Sequence, residues 1–234
     1  YGKGPYMQDM YSAGFYPYPD EESYWGYWSK QAMLGGICLD VTPLHKLLLD
    51  ELEDKKLFVL STNADGQFEK AGLPAEQIFC TQGDYFHIQC AHACHNKLYD
   101  ARKLFKQMNQ ARNNCKIPTY MVPKCPVCGS SMDMNLRKDN YFVQDEAWYA
   151  AEQRFSDFLA KAMHKKLVLL ELGVGFNTPS IIRFPFEKLA KEHTNINLIR
   201  LNFDQAIVPE SLGARAVGID ADMAKSIRDI VSNM

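Results

Sequence analysis

Residues Leu57 to Gly83 read LFVLSTNADGQFEKAGLPAEQIFCTQG, and two short apolar runs in this stretch each end in a polar loop. Leu57–Leu60 is rich in strand formers and is followed by Ser-Thr-Asn, which is typical of a buried strand that opens into a loop. Ile78–Cys80 repeats the pattern and leads into Thr-Gln-Gly-Asp. In α/β sheets, ligands bind in the crevice beyond the carboxyl ends of the strands. The residues that this pattern singles out for function are Asn63, Asp65 and Gln82.

The last third of the chain alternates strand-like and helix-like segments. The predicted segments are a strand at 166–172, a loop with two glycines at 173–177, a helix at 182–192, strands at 197–201 and 216–219, and a helix at 222–232. A helix at 43–54, which begins at Pro43 and keeps its leucines on one face, precedes the Leu57 strand. This alternation predicts an α/β fold, with a Rossmann-like parallel sheet covered by helices on both faces.

The segment 86–149 has a different character, because it is polar and contains two close pairs of cysteines. Three residues separate Cys90 from Cys94, and two separate Cys125 from Cys128. Four thiolates suit Zn²⁺, and a site with four protein ligands is structural because it has no open position for water. We therefore predict a small zinc-binding module. Two alternatives remain open: free buried thiols, or partial ligation in which one cysteine is replaced by His92, His95 or Cys115.

These patterns predict a division of the chain into domains. A Rossmann-like domain is expected over 1–85 and 150–234, with the zinc module, 86–149, inserted into it. Residues 1–42 are expected to form a partly helical cover, because GFYPYPDEESYWGYW runs from a turn into an aromatic helix with acidic residues in its first turn. The aromatic side chains of this helix either pack on the core or form a wall over the active site.

Composition limits the classes of protein to which the chain can belong. Its 234 residues are 47% hydrophobic and 23% charged, as in an ordinary globular protein. A net charge of −2 supplies no general attraction to nucleic acid or to an anionic membrane, and no apolar run approaches the length of a membrane span. The first residues lack the apolar core of a signal peptide. We expect a cytoplasmic protein that binds neither nucleic acid nor membrane, in a setting where cysteines are reduced.

The sequence also resembles a known family. STNADGQFEKAG followed by TQGD resembles the loop and strand end of sirtuins, with Gln82-Gly83 where sirtuins carry His-Gly. The stretches DMYSAGFYPYP, MDMNLR and ELGVGFNTP are similar to those of class M sirtuins, which are macrodomain-linked microbial protein ADP-ribosyltransferases. The Gly-Ala-Gly-x-Ser loop that opens a sirtuin nucleotide fold is missing from the chain. We expect the first strand and this loop to lie before Tyr1.

The resemblance implies NAD and Zn²⁺ as cofactors and assigns roles to particular residues. Asn63, Asp65 and Gln82 would form the catalytic pocket around the nicotinamide ribose. The other implied cofactor-binding residues are Gly173, Gly175, Asn177 and Asn202. Without the resemblance, Asn63 and Asp65 are ordinary turn residues, Asn202 is a strand-end cap, and the glycines are a structural turn. Asn135 and Arg137 are secondary candidates for substrate contact.

Gln82 distinguishes between the activities found in the family. A sirtuin deacylase needs a base beside the ribose hydroxyls, and a glutamine amide cannot take a proton, whereas histidine can. Transfer of ADP-ribose to a protein does not need that base if the acceptor brings its own anion. We therefore predict an NAD-dependent protein ADP-ribosyltransferase. The resemblance implies a lipoylated, glycine-cleavage-H-like carrier as the protein acceptor and a macrodomain hydrolase as functional partner. The alternatives are an NAD-dependent deacylase and a non-catalytic, zinc-stabilised binding module.

Overall fold

The computed structural model describes residues 10–176 and 178–232. The helices are α1 (Met10–Ala13), α2 (Glu21–Ala32), α3 (Pro43–Glu51), α4 (Gln67–Lys70), α5 (Arg102–Ala111), α6 (Glu146–Ala162), α7 (Arg183–Glu192) and α8 (Met223–Ser232). The strands are β1 (Val59–Ser61), β2 (Ile78–Cys80), β3 (Gly83–Cys90), β4 (Tyr99–Asp100), β5 (Met132–Leu136), β6 (Leu167–Leu172), β7 (Ile196–Asn202) and β8 (Ala216–Asp220). Among these helices, none combines the length and the apolar character needed to cross a membrane.

The chain divides into two compact units. The first, here called the cysteine unit, contains residues 10–41, Ser61–Lys70 and Cys80–Ala150. The second, here called the parallel-sheet unit, contains Thr42–Leu60, Ala71–Phe79 and residues 151–232.

The parallel-sheet unit confirms the predicted alternation of strands and helices. Its sheet has the order β6–β7–β8, with all strands parallel and a regular register from Leu167↔Ile196 to Leu172↔Leu201. Helices α7 and α8 both contact β7, the central strand. The core of this sheet is apolar, since Ile196 and Leu198 are completely buried. Burying such side chains stabilises the unit by about 2 kcal/mol each.

A buried ion pair lies in the same sheet and had no counterpart in the sequence predictions. Arg200 and Glu171 occupy paired positions on β7 and β6, and both side chains are fully buried. Arg200 donates to both carboxylate oxygens of Glu171, at 2.6 and 2.9 Å, and to Glu187 Oε1 at 2.9 Å. A bidentate contact of this kind is strong because two parallel bonds join two charged groups.

The cysteine unit contains an antiparallel sheet that the sequence did not predict. β3 pairs with β4 on one side and with β5 on the other. The stretch MDMNLR, for which the sequence predicted no strand, contains all of β5. Met134 is almost completely buried on this strand, whereas its neighbour Asp133 is only half-buried. The alternation ends at Asn135, which is buried as well, so the strand has neither a regular period nor an apolar run that the sequence could reveal.

Helix α2 belongs to the core of the cysteine unit. It begins after Asp20, whose carboxylate accepts the Ser23 backbone N–H at 2.8 Å, as the acidic first turn predicted. Trp25 is fully buried and packs against Phe105 of α5, with ring centroids 6.2 Å apart. The N-terminal segment therefore packs with the cysteine-containing segment. The two compact units differ from the predicted domains, because the prediction assigned the N-terminal segment to the Rossmann-like domain.

Candidate active site and metal centre

One cavity of about 350 Å³ lies within the cysteine unit. Asn63, Asp65 and Gln82, the three residues selected from sequence as catalytic, all line it. The structure thus brings together two loops that are seventeen or more residues apart in sequence. The cavity is also lined by side chains from other elements of the unit, including Trp28, Tyr85, Arg137 and Lys138.

The loop that carries Asn63 is held by local hydrogen bonds. The Ser61 hydroxyl accepts the Asn63 backbone N–H at 3.1 Å. The Asp65 carboxylate accepts the Gln67 N–H at 3.1 Å, at the start of α4, where a negative charge is favourable. The Ala64 carbonyl accepts the Tyr85 N–H at 3.0 Å. Asp65 therefore shapes this loop, and its role toward a cofactor stays a prediction.

Gln82 is fixed through its backbone and through the glycine that follows it. Its carbonyl accepts the Arg137 N–H at 3.0 Å. Gly83 has φ of +82°, and a Cβ built on it would lie 1.8 Å from the Asn135 carbonyl oxygen. Only glycine fits this conformation and this close approach. The Gln-Gly pair thus places Gln82 at the cavity by holding the start of β3 tightly against β5.

Two cationic side chains reach the cavity and are held by neighbours outside it. The Arg137 guanidinium lies 4.6 Å from the centre of the Phe142 ring, a cation–π contact. Lys138 forms an ion pair with Asp133 at 2.7 Å, and Asp133 also accepts a hydrogen bond from the Tyr24 hydroxyl. Burial, together with the charge of Asp133, raises the pKa of Tyr24, which stays protonated as a donor. Among the described residues that line the cavity, Arg137 and Lys138 are cationic and Asp65 is anionic, and the charge of Lys138 is paired with that of Asp133. Lys138 and Tyr85 were missed from sequence, where no motif distinguishes them.

Asn135, a secondary candidate from sequence, has a different position. It is 3% exposed, and its amide nitrogen donates to Gln89 Oε1 at 2.7 Å and to the Val143 carbonyl at 3.0 Å. Gln89 Oε1 also accepts the Val143 N–H, and its nitrogen donates to the Tyr141 carbonyl at 2.6 Å. A buried network of this kind fixes a loop to a sheet. Asn135 is not among the residues that line the cavity. It supports the site indirectly, through the network that fixes the loop to the sheet.

Aromatic residues of α2 divide between the two roles proposed for them. Trp25 lies in the core, whereas Trp28 is 6% exposed and lines the cavity. The Trp28 and Tyr85 rings are 6.4 Å apart, centre to centre. One helix therefore provides both core packing and a wall of the cavity.

The predicted phosphate-binding loop lies in the parallel-sheet unit, at the end of β6. Gly173 has φ of +68°, and the Gly175 backbone lies beside Gln205. Asn202, at the end of β7, donates to the Val174 carbonyl at 3.1 Å and accepts the Gln205 N–H at 3.2 Å. These bonds make Asn202 a cap at the end of β7, and its role toward a cofactor stays a prediction. Asn177 lies outside the described residues.

Arg183 is a buried residue of this loop region that sequence reasoning missed. Its side chain is 2% exposed and donates to the carbonyls of Val174, Gln205 and Ile207 at 2.9 to 3.2 Å. Its guanidinium also lies 4.1 Å from the Phe176 ring centre. The contacts join the loop after β6 to the loop after β7. An arginine at the start of a helix gives no sequence signal for this role.

The four paired cysteines form one cluster in the cysteine unit. Their sulfur atoms all lie within 4.8 Å of one another, with Cys90 and Cys128 at 3.7 Å and Cys94 and Cys125 at 3.6 Å. Four sulfurs at about 2.3 Å from a tetrahedral Zn²⁺ would be about 3.8 Å apart, so the cluster fits this ion. The donor set predicted from sequence is confirmed as a group that can hold zinc.

Local backbone structure shapes the cluster. The Gly129 N–H donates to the Cys125 carbonyl at 2.9 Å, and the Cys125 N–H donates to the Ser130 carbonyl at 2.7 Å. This tight turn presents both sulfurs of the second pair to the same side. Hydrogen bonds from Ser130 lower the pKa of the Cys128 thiol to about 6, so the cluster holds a thiolate at neutral pH.

His95 lies beside the cluster and does not replace a cysteine in it. Its Nδ1 is 3.0 Å from Cys94 Sγ, and its Nε2 is 2.8 Å from the Tyr99 hydroxyl. The ring is thus oriented by Tyr99 and can donate to a thiolate, as groups around metal ligands commonly do. Zinc held by four thiolates has no open position, so its role here is structural.

The chemistry of the cavity follows from its side chains. Within the described part of the chain, the residues that line it include no histidine. Gln82 and Asn63 can donate and accept hydrogen bonds but cannot take a proton at neutral pH. His87, the nearest histidine to Gln82 in sequence, contacts Asp84 instead, with Nδ1 2.8 Å from Oδ2. The cavity is therefore equipped to orient hydroxyl groups and to bind anions, and it lacks a histidine base.

Two curated relatives are similar to this chain in sequence, although no protein-family model matches it. A protein ADP-ribosyltransferase of Staphylococcus aureus is 29% identical over 226 residues, which cover 96% of this chain and 72% of the relative. A probable bifunctional ADP-ribose hydrolase/ADP-ribosyltransferase of Fusarium oxysporum is 31% identical over 215 residues. That match covers 87% of this chain and 36% of the Fusarium protein.

Solved structures with a similar fold are sirtuins. A complex of Sir2 with a p53 peptide and NAD⁺ matches 99% of this chain and 85% of its own, with a TM-score of 0.60 and 17% identity. A Sir2 protein bound to a propionylated peptide matches 97% of this chain and 84% of its own, with a TM-score of 0.59 and 18% identity. At such identities, the likeness establishes the fold. The chain therefore has a sirtuin-like fold, and in sequence it is similar to proteins named as protein ADP-ribosyltransferases.

Proposed function

We propose that this protein is an NAD-dependent protein ADP-ribosyltransferase and that the cavity of the cysteine unit is its reaction site. The observation that carries the proposal is the convergence of Asn63, Asp65 and Gln82 on one cavity whose described lining residues include no histidine. Both curated relatives have ADP-ribosyltransferase names, which supports the same activity. Support for NAD as co-substrate comes from the Sir2 fold, which has been solved with NAD⁺ bound.

The side chains of the cavity suit this reaction. NAD supplies the ADP-ribosyl group when its bond to nicotinamide breaks. The Gln82 amide and the Asn63 amide orient ribose hydroxyls, since each can donate and accept. The guanidinium of Arg137, which lines the cavity, would attract an acceptor carboxylate, and such an acceptor would need no base. Each positioned hydrogen bond is expected to contribute on the order of 10²-fold to the rate.

The finer assignments extend this proposal. The acceptor would be a lipoylated carrier of the glycine-cleavage-H type, and a macrodomain hydrolase would reverse the modification. The bifunctional name of the Fusarium relative, which joins ADP-ribose hydrolase and transferase, supports the second of these. Gly173, Gly175, Asn177 and Asn202 would contact the dinucleotide.

Deacylation is the second candidate function, and one observation favours it. Sir2 proteins of the same fold have been solved with acetylated and propionylated peptides. The reaction requires removal of a proton from a ribose hydroxyl, and Gln82 occupies the position at which sirtuins carry histidine. The proposal therefore predicts little deacylation by the wild-type protein.

One experiment compares the two activities directly. The protein is incubated with NAD and a lipoyl-carrier acceptor, and in parallel with an acetyl-lysine peptide, and the products are identified by mass spectrometry. We expect ADP-ribosylation of the acceptor, reduced about 10²-fold in Gln82→Ala and in Asn63→Ala. Tyr120→Ala is the matched control, because this side chain is 86% exposed and does not line the cavity. Rapid deacylation without modification of any acceptor would refute the assignment.

A further inference from the structure

The pairing of β3 with β5 is interrupted beside Gln82. Between Gly83 and Ile88 the register shifts, so that four residues, 84–87, lie opposite the single residue Asn135. β3 therefore bulges at 84–87 on the side of β5, while His87 stays paired with Asp100 of β4. The bulged segment is called here the turn at 84–87, because the Asp84 carboxylate accepts backbone N–H groups two and three residues further on. Irregularities of this kind re-aim neighbouring side chains and occur often next to active sites.

A single carboxylate closes this turn. Asp84 Oδ1 accepts the backbone N–H groups of Phe86 at 2.8 Å and of His87 at 2.9 Å. Its other oxygen, Oδ2, lies 2.8 Å from Nδ1 of the His87 ring. The side chains of Asp84 and His87 are both about 30% exposed, so the contact between them is partly shielded from water. The ring of His87 is thus the side-chain contact that fixes the orientation of the Asp84 carboxylate.

The turn connects the two loops of the cavity. The Tyr85 N–H donates to the Ala64 carbonyl, which lies in the loop of Asn63, and the Tyr85 side chain lines the cavity. At the other end of the turn, Gly83 holds Gln82 against β5. A displacement of the turn would therefore move both loops.

We propose that His87 is a positioning residue of this site: its contact with Asp84 closes the turn at 84–87 and so holds Gln82 and the Asn63 loop in their places. The inference rests on the proposed function, because it takes Gln82 and Asn63 as the groups that orient the ribose.

The charged groups around His87 determine how the strength of its contact with Asp84 depends on pH. The groups that face it are Asp84 on its own strand, Asp100 on β4, Glu69 on α4 and Arg102 at the start of α5, which forms an ion pair with Asp100. The hydrogen bond to Asp84 raises the pKa of His87 above its usual value, and burial opposes this shift. The protonated ring therefore stabilises the turn at lower pH, and the stabilisation is lost as pH rises through the raised pKa.

Two substitutions separate positioning from other roles. His87→Asn keeps a donor near the place of Nδ1 but cannot change its charge, whereas His87→Leu removes the donor. We expect His87→Leu to lower kcat for ADP-ribosyl transfer about tenfold, which corresponds to the loss of one charged hydrogen bond. The wild type should show a decline in kcat at alkaline pH, and His87→Asn should keep most of the activity and lose that decline. The control is His164→Leu, because His164 is an exposed histidine just after the C-terminal end of α6.

The results that would overturn the inference are distinct from those that would refute the proposed function. Wild-type kcat in a folded His87→Leu, or an unchanged alkaline decline in His87→Asn, would exclude a positioning role. Loss of activity in both variants would exclude it too, because that result is expected of a proton-transferring base. If His87→Leu does not fold, as judged by zinc content and thermal midpoint, His87→Asn alone decides. Undiminished transfer in Gln82→Ala would instead refute the function on which the inference rests.

Discussion

Gly83→Ala tests whether the tight junction of β3 and β5 controls the reaction site. The methyl group would be added at φ of +82° and would lie 1.8 Å from the Asn135 carbonyl oxygen. The left-handed conformation costs about 1–2 kcal/mol for a residue with a side chain. Ordinary van der Waals contact of a Cβ begins at 3.4 Å, so the strands would have to separate by roughly 1.6 Å. Overpacking of this kind costs about 1–3 kcal/mol. We expect a total loss of about 2–5 kcal/mol in the free energy of unfolding.

Gly83→Ala should also lower the rate of transfer by the protein that remains folded. Separation of β3 from β5 would break the hydrogen bond between the Arg137 N–H and the Gln82 carbonyl and would move Gln82 by about 1 Å. A displacement of this size can reduce a rate by about 10²-fold. Gly72→Ala is the matched control, because Gly72 has φ of +103° but no atom within 4 Å of a built Cβ.

The measurements for both variants are the thermal midpoint and the initial rate of ADP-ribosyl transfer. Gly72→Ala should lose only the about 1–2 kcal/mol that a left-handed conformation costs a residue with a side chain. It should transfer ADP-ribose at the wild-type rate. The reasoning would be refuted if the midpoint and the rate of Gly83→Ala matched those of Gly72→Ala. That result would mean that β5 moves away from the new methyl group without disturbing Gln82.

Two further predictions concern the metal centre and the buried ion pair. Cys128→Ser should reduce bound zinc from one equivalent to much less than one, as measured by elemental analysis. It should also lower the thermal midpoint, because the free energy of metal binding contributes to folding. One equivalent of zinc in this variant would contradict ligation by four cysteines. Arg200→Met should destabilise the protein by about 3–5 kcal/mol in urea unfolding, since it leaves the carboxylate of Glu171 buried without its partner. Combining it with Glu171→Leu should recover much of that loss, and a double variant no more stable than Arg200→Met would show that the charge is not the cause.

The features that sequence predicted correctly are those with a local signature. The spacing of Cys90, Cys94, Cys125 and Cys128 indicated a metal centre, because four ligands must meet at one ion whatever the chain does between them. The strands of the parallel sheet were found because buried parallel strands are continuous apolar runs. Asn63, Asp65 and Gln82 were selected because they follow such runs; the structure brings them to one cavity, and their catalytic role stays a prediction.

The missed features depend on contacts between distant segments. β3 and β5 contain polar residues such as Gln89 and Asn135, which pair with each other 46 residues apart in sequence. The sequence does not distinguish a side-chain amide that is buried and hydrogen-bonded to another amide from one that is exposed to water. Arg183 and Arg200 were missed for the same reason, since arginine is normally a surface residue and only the fold supplies its partners.

Strand β3 begins beside Gln82 and ends at Cys90, so one strand of eight residues joins the reaction site to the metal centre. Anything that removes the ion releases one end of this strand. Cys94 and Cys128 are the exposed sulfurs of the cluster, so oxidants and chelators have access to them before they reach the cavity. We therefore expect transfer activity to respond to the redox and metal status of the surroundings even when NAD and acceptor are plentiful.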